Sequence, residues 1–452
     1  MSISGALTSG VSGLQVNSSA LGAIADNISN SNTIGYKRTE SRFSTLVTQQ
    51  VSGTQYSPGG VQDNVQKEIT TQGLLQTSTS SLDTGISGNG FFVTTQSATA
   101  SSSDTHFYTR AGNWFTDDEG YLRNTSGFYL QAWPTDTNGN VVDSSGTTIS
   151  TPSESTFDEL TAININSLQG TATPTANLSL GVNLPASAAV SDTAQTSVVL
   201  YDSLGATNTV TFTWVKEAAN TWQVSASASN GTVGAPFSGN TDYLRVRFGT
   251  NGTPQDWTPA TGGAGTHPAL VTGATLGTVS TTGVTPTLDI TTLTNGAADL
   301  SVTLDLGTAA TTDGVTQVAA SYITNFVEQD GRSFGALSGL SFDQQGFLNA
   351  TFDNGTNRPI YKVPLATFVN PNGLENRSGN VWIETAGSGE FLLRAAQNGG
   401  AGSIEGGTLE QSTVDIAEEF TRMIVVQRAF SANTKTIQTA DEMLEELVRL
   451  KR

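Results

Sequence analysis

The 452-residue sequence contains no cysteine and only two histidines. The missing cysteines exclude disulfides, thiolate metal sites and thiol nucleophiles. The histidines, His106 and His267, lie far apart in the chain, which argues against a histidine metal cluster or a Ser-His-Asp triad. Charge is scarce and one-sided: 20 Lys and Arg stand against 39 Asp and Glu, a formal net charge of −19. Such a chain lacks the basic footprint that phosphates require, so no nucleic-acid partner is expected. No run of 18 apolar residues occurs, so membrane insertion through a helix is not expected. The opening MSISGALTSGVSGLQ has neither the basic region nor the continuous apolar stretch of a cleaved secretory signal.

What is present is Ser, Thr, Asn, Gln and 48 Gly, a mix suited to β-rich surfaces of extracellular proteins. The ends differ from the middle. Leu7, Leu14, Leu21 and Ile28 recur every seven residues, with Val11 and Ile24 beside them. Near the C-terminus the heptad is longer: Leu409, Ile416, Met423, Phe430, Ile437 and Leu444, with Phe420 and Val448 on adjoining positions. Such spacing predicts helices that pack on one another, over residues 1–30 and 410–452. An ordinary intramolecular hairpin and a coiled coil used for assembly both fit the periodicity. The N-terminal segment, rich in Ser, Gly and Asn, is a poor helix by itself and is expected to order only against a partner.

Residues 31–84 and 399–409 read as irregular connectors, with turn signals near Gly35 and at Pro58–Gly60. Strands are predicted at Gly90-Phe91-Phe92-Val93, over 106–115 and 120–133 with a hairpin at Asp117-Asp118-Glu119, and around Asn138-Gly139. Strand patterning resumes over 336–384. Between these lies an acidic middle: residues 135–331 carry 16 acidic and three basic residues, whereas residues 1–82 carry four of each. Val210, Phe212 and Trp214 alternate with Thr211 and Thr213, and residues 221–225 read as the hairpin partner. Residues 262–283, without any aromatic residue, read as a loop or weak edge. The fold class expected is mainly β with terminal α-helices, nested. Paired helices at the ends enclose a β-rich domain (85–145 and 325–398), into which an all-β domain (146–324) is inserted.

Candidate chemistry is thin. Asp117-Asp118-Glu119 reads as a solvated hairpin tip, since catalytic carboxylates come from separated positions. Asp136 to Asp143 has some of the spacing of a calcium loop but lacks its sixth-place Gly and twelfth-place Glu, and a turn explains it better. No phosphate loop, HExxH or nucleophile elbow occurs. No catalytic, metal or cofactor residue is named and no enzyme activity is expected.

The ends carry a resemblance. Ser12-Gly13-Leu14-Gln15, Ala20-Leu21-Gly22 through Asp26-Asn27-Ile28-Ser29-Asn30, and Asn32-Thr33-Ile34-Gly35-Tyr36-Lys37 resemble the N-terminal signature of bacterial flagellar rod and hook proteins. Gly88-Asn89-Gly90-Phe91-Phe92 and Thr109-Arg110-Ala111-Gly112-Asn113-Trp114-Phe115 are similar to the family's β-domain motifs. Residues 409–421 and 427–444 resemble its terminal helix. Val363-Pro364-Leu365-Ala366-Thr367-Phe368, Asn372-Gly373-Leu374, residues 199–205 and the size of the insert favour hook members over distal rod members.

The resemblance implies a self-assembling subunit of a curved, hollow, extracellular tube that passes motor torque to the filament as a universal joint. The implied partners are further copies of the chain, the distal rod, hook cap and hook-filament junction proteins, and the flagellar type III export apparatus. The apolar stripes would be the assembly residues. For residues 42–47 two readings stand: an export element built on Phe43 and Val47, or a strand or helix contact. A secreted adhesin with a helical stalk is the alternative from another class.

Overall fold

The structure, a computed structural model, describes residues 3–46, 59–143, 145–166, 170–235, 237, 242–261 and 286–450. The fold is mainly β with a helix near each end, α1 (Ile3–Ser29) and α2 (Ile416–Leu450). Chain contacts divide it into two units: Met1–Leu168 with Gly339–Thr351 and Asn357–Arg452, and Gln169–Ser338 with Phe352–Thr356. The predicted loop over 262–283 lies outside the described residues.

In the first unit, segments from the two halves of the chain pair in reverse order. Helix α1 lies antiparallel on α2, with Gly10 against Ile437 and Gly13 against Asn433. Strand Leu75–Thr77 pairs with Thr408–Glu410, and Thr84–Ser87 with Ser403–Gly406. Strand Phe91–Thr95, buried along its whole length, pairs with Phe107–Thr109 and Pro364–Thr367. Tyr129–Pro134 meets Asn357–Lys362. Phe91, Val93, Tyr108, Trp133, Trp382 and Leu393 form the core beneath.

Three expectations are corrected. Residues 39–67 are not wholly irregular: β1 (Thr39–Thr45) and β2 (Val61–Lys67) form an antiparallel ribbon over seven residue pairs. Its residues are largely polar, so alternation did not mark it; the backbone ladder joins its strands, and Glu40 ties it to Arg422 of α2. The stretch 106–115 is not one strand, because it breaks between Phe107–Thr109 and Trp114–Thr116. There Arg110 turns inward and Gly112 abuts the Thr84 carbonyl, where no Cβ fits. Helix α2 starts at Ile416, not near 410. Asp415 caps it, its carboxylate accepting the Ala417 amide at 2.8 Å.

In the second unit two five-stranded sheets share one core. One contains Thr207–Ala218 and Thr221–Ala228, paired with Trp214 opposite Val224. The alternation read from sequence holds, since Val210, Phe212 and Trp214 are fully buried. The other sheet contributes Leu178, Leu180, Ile290, Val302 and Leu304 to the same core. Face-to-face sheets with interdigitated alternate residues make a β-sandwich.

One turn recurs through both units. At Asp117, Asn124, Asp136, Asp143, Asp202 and Asp343 the side-chain Oδ1 accepts the backbone amides of the residues two and four further on. The fourth residue of each is a glycine with φ between +78° and +86°, the left-handed position of a three-residue hairpin loop. The hairpin-tip readings at Asp117 and Asp136 therefore hold. The acidity of these loops is partly turn chemistry. The Asn140 and Ser145 side chains, together with the loop amides, hold the Asp136 and Asp143 carboxyls below the usual range.

Asp343→Ala should cost about 1–2 kcal/mol, read by urea unfolding, and Asp343→Asn less than half of that, because Asn124 performs the same task. Equal losses for both would show that the turn depends on charge and not on amide acceptance.

Candidate assembly site

The two helices meet along a seam of small and polar residues. On α1 the buried positions include Gly10, Gly13, Asn17, Ala20, Ile24 and Asn27, spaced three and four apart. A Cβ at Gly10 would lie 2.8 Å from the Ile437 side chain, so glycine sets the interhelical distance. On α2 Glu419 and Ala440 are buried, and Met423, Val426, Asn433, Ile437 and Leu444 half-buried.

The predicted stripe residues fall in three places. Ile24 is in the seam. Leu7, Leu14, Leu21 and Ile28 run beside it, half-buried, because the glycine and alanine positions, not the leucines, permit close approach. On α2, Met423, Ile437 and Leu444 contribute to the seam side, whereas Ile416, Phe420, Phe430 and Val448 are exposed. Leu409 is not on the helix at all; it sits in strand Thr408–Glu410. Phe43 is exposed on β1, and Val47 lies outside the described residues. Of the two histidines, His106 stacks on Phe157 at 3.7 Å with Nδ1 on the Asp104 carbonyl, and His267 lies outside the described residues.

Asn27 anchors the chain where it leaves α1. Its Oδ1 accepts the Thr39 amide at 2.9 Å and the Tyr36 hydroxyl at 3.2 Å, and its Nδ2 donates to the Thr39 carbonyl at 2.8 Å. Lys67 of β2 lies 4.9 Å from the Tyr36 ring centre. The base of the ribbon is thereby fixed against the end of α1.

Next to it is a buried charge cluster that sequence reasoning missed. Glu410 and Lys37 are fully buried, with Lys37 Nζ 2.6 Å from Glu410 Oε1. Arg110 Nη1 donates to Oε2 at 3.1 Å. The Gly73 amide donates to Oε1 at 2.8 Å, and Lys37 Nζ also donates to the Thr71 carbonyl. The Glu410 carbonyl accepts the Gly35 amide at 2.8 Å. One residue thus joins residues 35–37, 71–73 and 110 immediately before α2. Gly35 has φ +66°, and a Cβ there would lie 2.8 Å from the Arg110 backbone. Burial pulls the Lys37 ammonium and the Arg110 guanidinium below their ordinary values, with Glu410 opposing. The available signal was scarcity, since Lys37 and Arg110 are among only 20 basic residues.

A second, partly exposed layer binds the ribbon to α2. Arg38 Nε is 2.9 Å from Glu419, and Arg422 Nη1 is 3.3 Å from Glu40. Ala20, Ile24, Phe43, Val425 and Val426 line a largely apolar groove beside these pairs. Hydrogen bonds from Arg42 and then Arg422 hold the Glu40 carboxyl below its usual value.

Removing one member of a buried pair leaves an uncompensated charge. Lys37→Met should cost about 3–5 kcal/mol, read by denaturant unfolding; a cost below 1 kcal/mol would show that the cluster is dispensable. The Glu40 contribution has the opposite pH sense to that of a raised pKa. It is complete above the ordinary carboxylate range and is lost as pH falls through the lowered value. Proteolysis of the ribbon should therefore accelerate in acid, and in Glu40→Gln that part of the acceleration should vanish.

Four family models match the chain: "Flagella basal body rod protein" over residues 7–37, "Flagellar hook protein FlgE/F/G D1 domain" over 85–186, "Flagellar basal body protein FlaE D2 domain" over 164–332, and "Flagellar basal body rod FlgEFG protein C-terminal" over 405–450. The flagellar hook protein FlgE of Rhizobium meliloti is 34% identical over 456 residues, covering all of both chains. That of Caulobacter vibrioides is 33% identical over 601 residues, again covering both completely. That of Borreliella burgdorferi is 33% identical over 475 residues, covering 98% of this chain and 99% of the relative.

Proposed function

The chain belongs to the flagellar hook protein family, a structural family, and we propose that its helical ends drive assembly while its β units carry the tube's flexibility. The observation that carries this reading is a face of α2 left unpartnered among the described residues. Ile416, Phe420 and Ile424, each close to half exposed, lie one turn apart on a helix whose other side is already occupied by α1. Leu7, Leu14, Leu21 and Ile28 form a second apolar line beside the seam. Stripes of this kind find partners on further copies of the chain.

The remaining surface suits the mechanical part. It is polar but sparsely charged, so neighbouring β units have few ion pairs to break as a tube bends. The four-part division read from sequence belongs to this proposal, with residues 146–324 as the tube's outer face. Its net negative charge keeps that face soluble and non-adhesive. Distal rod, hook cap and junction proteins are the neighbours this role requires, and export through the type III apparatus without a cleaved signal is the matching route. Exposed Phe43 is available as part of an export element. No catalytic activity belongs to this function.

Purified protein should form curved tubes visible by electron microscopy, and straight rigid rods would contradict a hook role. Replacing Ile416, Phe420 and Ile424 together with Ser removes roughly 1.5–3 kcal/mol of burial per residue at the contact. The critical concentration for pelleting should rise more than a hundredfold, with the monomer's circular dichroism unchanged. Pelleting equal to that of the parent chain would refute the assembly face.

A further inference from the structure

Asparagine followed by glycine occurs eight times in the chain. At such a pair the glycine's backbone nitrogen can reach the asparagine Cγ, because glycine puts no side chain in the way. The fold treats the eight differently. At Asn230, Asn251, Asn295, Asn354 and Asn372 the side-chain Oδ1 accepts a backbone amide, which holds Cγ in place. The side chains of Asn89, Asn138 and Asn398 make no hydrogen bond among the described residues.

Two of these three are restrained in another way. Gly90 is buried, packed against Leu365. The Gly139 amide donates to the Asp136 carbonyl at 3.2 Å, and the Asp136 carboxylate, on the Asn138 amide, opposes a further negative charge there. Asn398-Gly399 lacks both restraints. Residues 397–400 are all exposed, and the Gly399 amide donates to no oxygen among the described residues. A cation lies against it: a Cβ on Gly399 would collide with Arg394 Nη1 and stand 3.0 Å from Cζ. Arg394 forms no ion pair among the described residues, so no carboxylate neutralises it. A guanidinium in that place favours the deprotonated Gly399 nitrogen and the oxyanion formed when it attacks.

We infer that Asn398 is a site of spontaneous deamidation and that Arg394 accelerates it. The Gly399 nitrogen gives its proton to water and bonds to Asn398 Cγ. The bond from Cγ to Nδ2 breaks, and the nitrogen leaves as ammonia after taking a proton from water. A second water opens the five-membered imide, at one carbonyl to give aspartate and at the other to give isoaspartate. The loop gains a carboxylate beside a cation that had none. Where isoaspartate forms, the backbone between strands Leu392–Ala395 and Ser403–Gly406 is longer by one methylene. The reaction needs only water, and its rate rises with pH because the attacking nitrogen must lose its proton.

The test incubates the full chain at mildly alkaline pH, folded and in urea. Conversion is followed by peptide mass mapping and by labelling with a protein isoaspartyl methyltransferase. In the folded chain Asn398 should convert fastest of the eight, about tenfold faster than the five held asparagines, the factor that one side-chain hydrogen bond supplies. In urea the eight should converge. Arg394→Met should slow Asn398 about fivefold, the effect of one partly exposed charge, and leave Asn138 unchanged. Arg394→Lys should keep most of the parent's rate. A folded chain in which Asn398 converts no faster than the held asparagines overturns the site. A spread that persists in urea also overturns it, because neighbouring sequence and not the fold would then set the rates. Equal Asn398 rates in the parent and in Arg394→Met overturn the part assigned to the guanidinium.

Discussion

Glu410 has no access to water, and its carboxylate must be compensated entirely by protein groups. Lys37, Arg110 and the Gly73 amide do this. They come from three separated stretches of the first quarter of the chain, while Glu410 stands six residues before α2. A buried carboxylate tolerates little misplacement of its partners. The cluster therefore fixes the positions from which α1 and α2 depart. Asn27 and the Arg38–Glu419 pair then set the direction of the chain leaving α1 and entering α2. The exposed apolar residues Ile416 and Phe420 thus lie on the first turns of a helix whose root is held in place.

The same constraint explains the order of pairing. Outside the β1–β2 ribbon, Leu75–Thr77, Thr84–Ser87 and Phe91–Thr95 each close against a strand from the last quarter of the chain, as α1 does against α2. The N-terminal helix, with glycine in its seam, has little intrinsic stability and relies on the late-arriving C-terminal partner. A chain built in this way remains without its terminal structure until both ends are present. That property is compatible with travelling unfolded and ordering at the site of assembly. The sparse charges take distinct tasks, among them buried compensation at Glu410 and turn formation at Asp117 and its equivalents.

Much of this was legible in the residues themselves. The alternation of Val210, Phe212 and Trp214 gave the correct face of a sandwich strand, and Asp117-Asp118-Glu119 and Asn138-Gly139 marked two of the recurring turns. Heptads announced both helices and reached the seam at Ile24, Met423, Ile437 and Leu444, but on α1 they mainly marked the leucine line beside it, because a seam of Gly, Asn and Ala has no hydrophobic signature. The β1–β2 ribbon escaped notice for a related reason, since its largely polar residues carry no apolar alternation. The charge cluster was hidden because Glu410 lies hundreds of positions from Lys37 and Arg110, and a single sequence does not show which distant residues meet.

The central claim is that the Glu410 carboxylate, and not the helix pair alone, orders the junction between the two ends. Amide hydrogen exchange of the monomer, in the parent chain and in Glu410→Gln, tests it most directly. The account predicts that the Gly35 and Gly73 amides are protected in the parent and lose protection together in the variant, while Phe91–Thr95 stays protected in both. Retained protection at Gly35 and Gly73 in Glu410→Gln would contradict it.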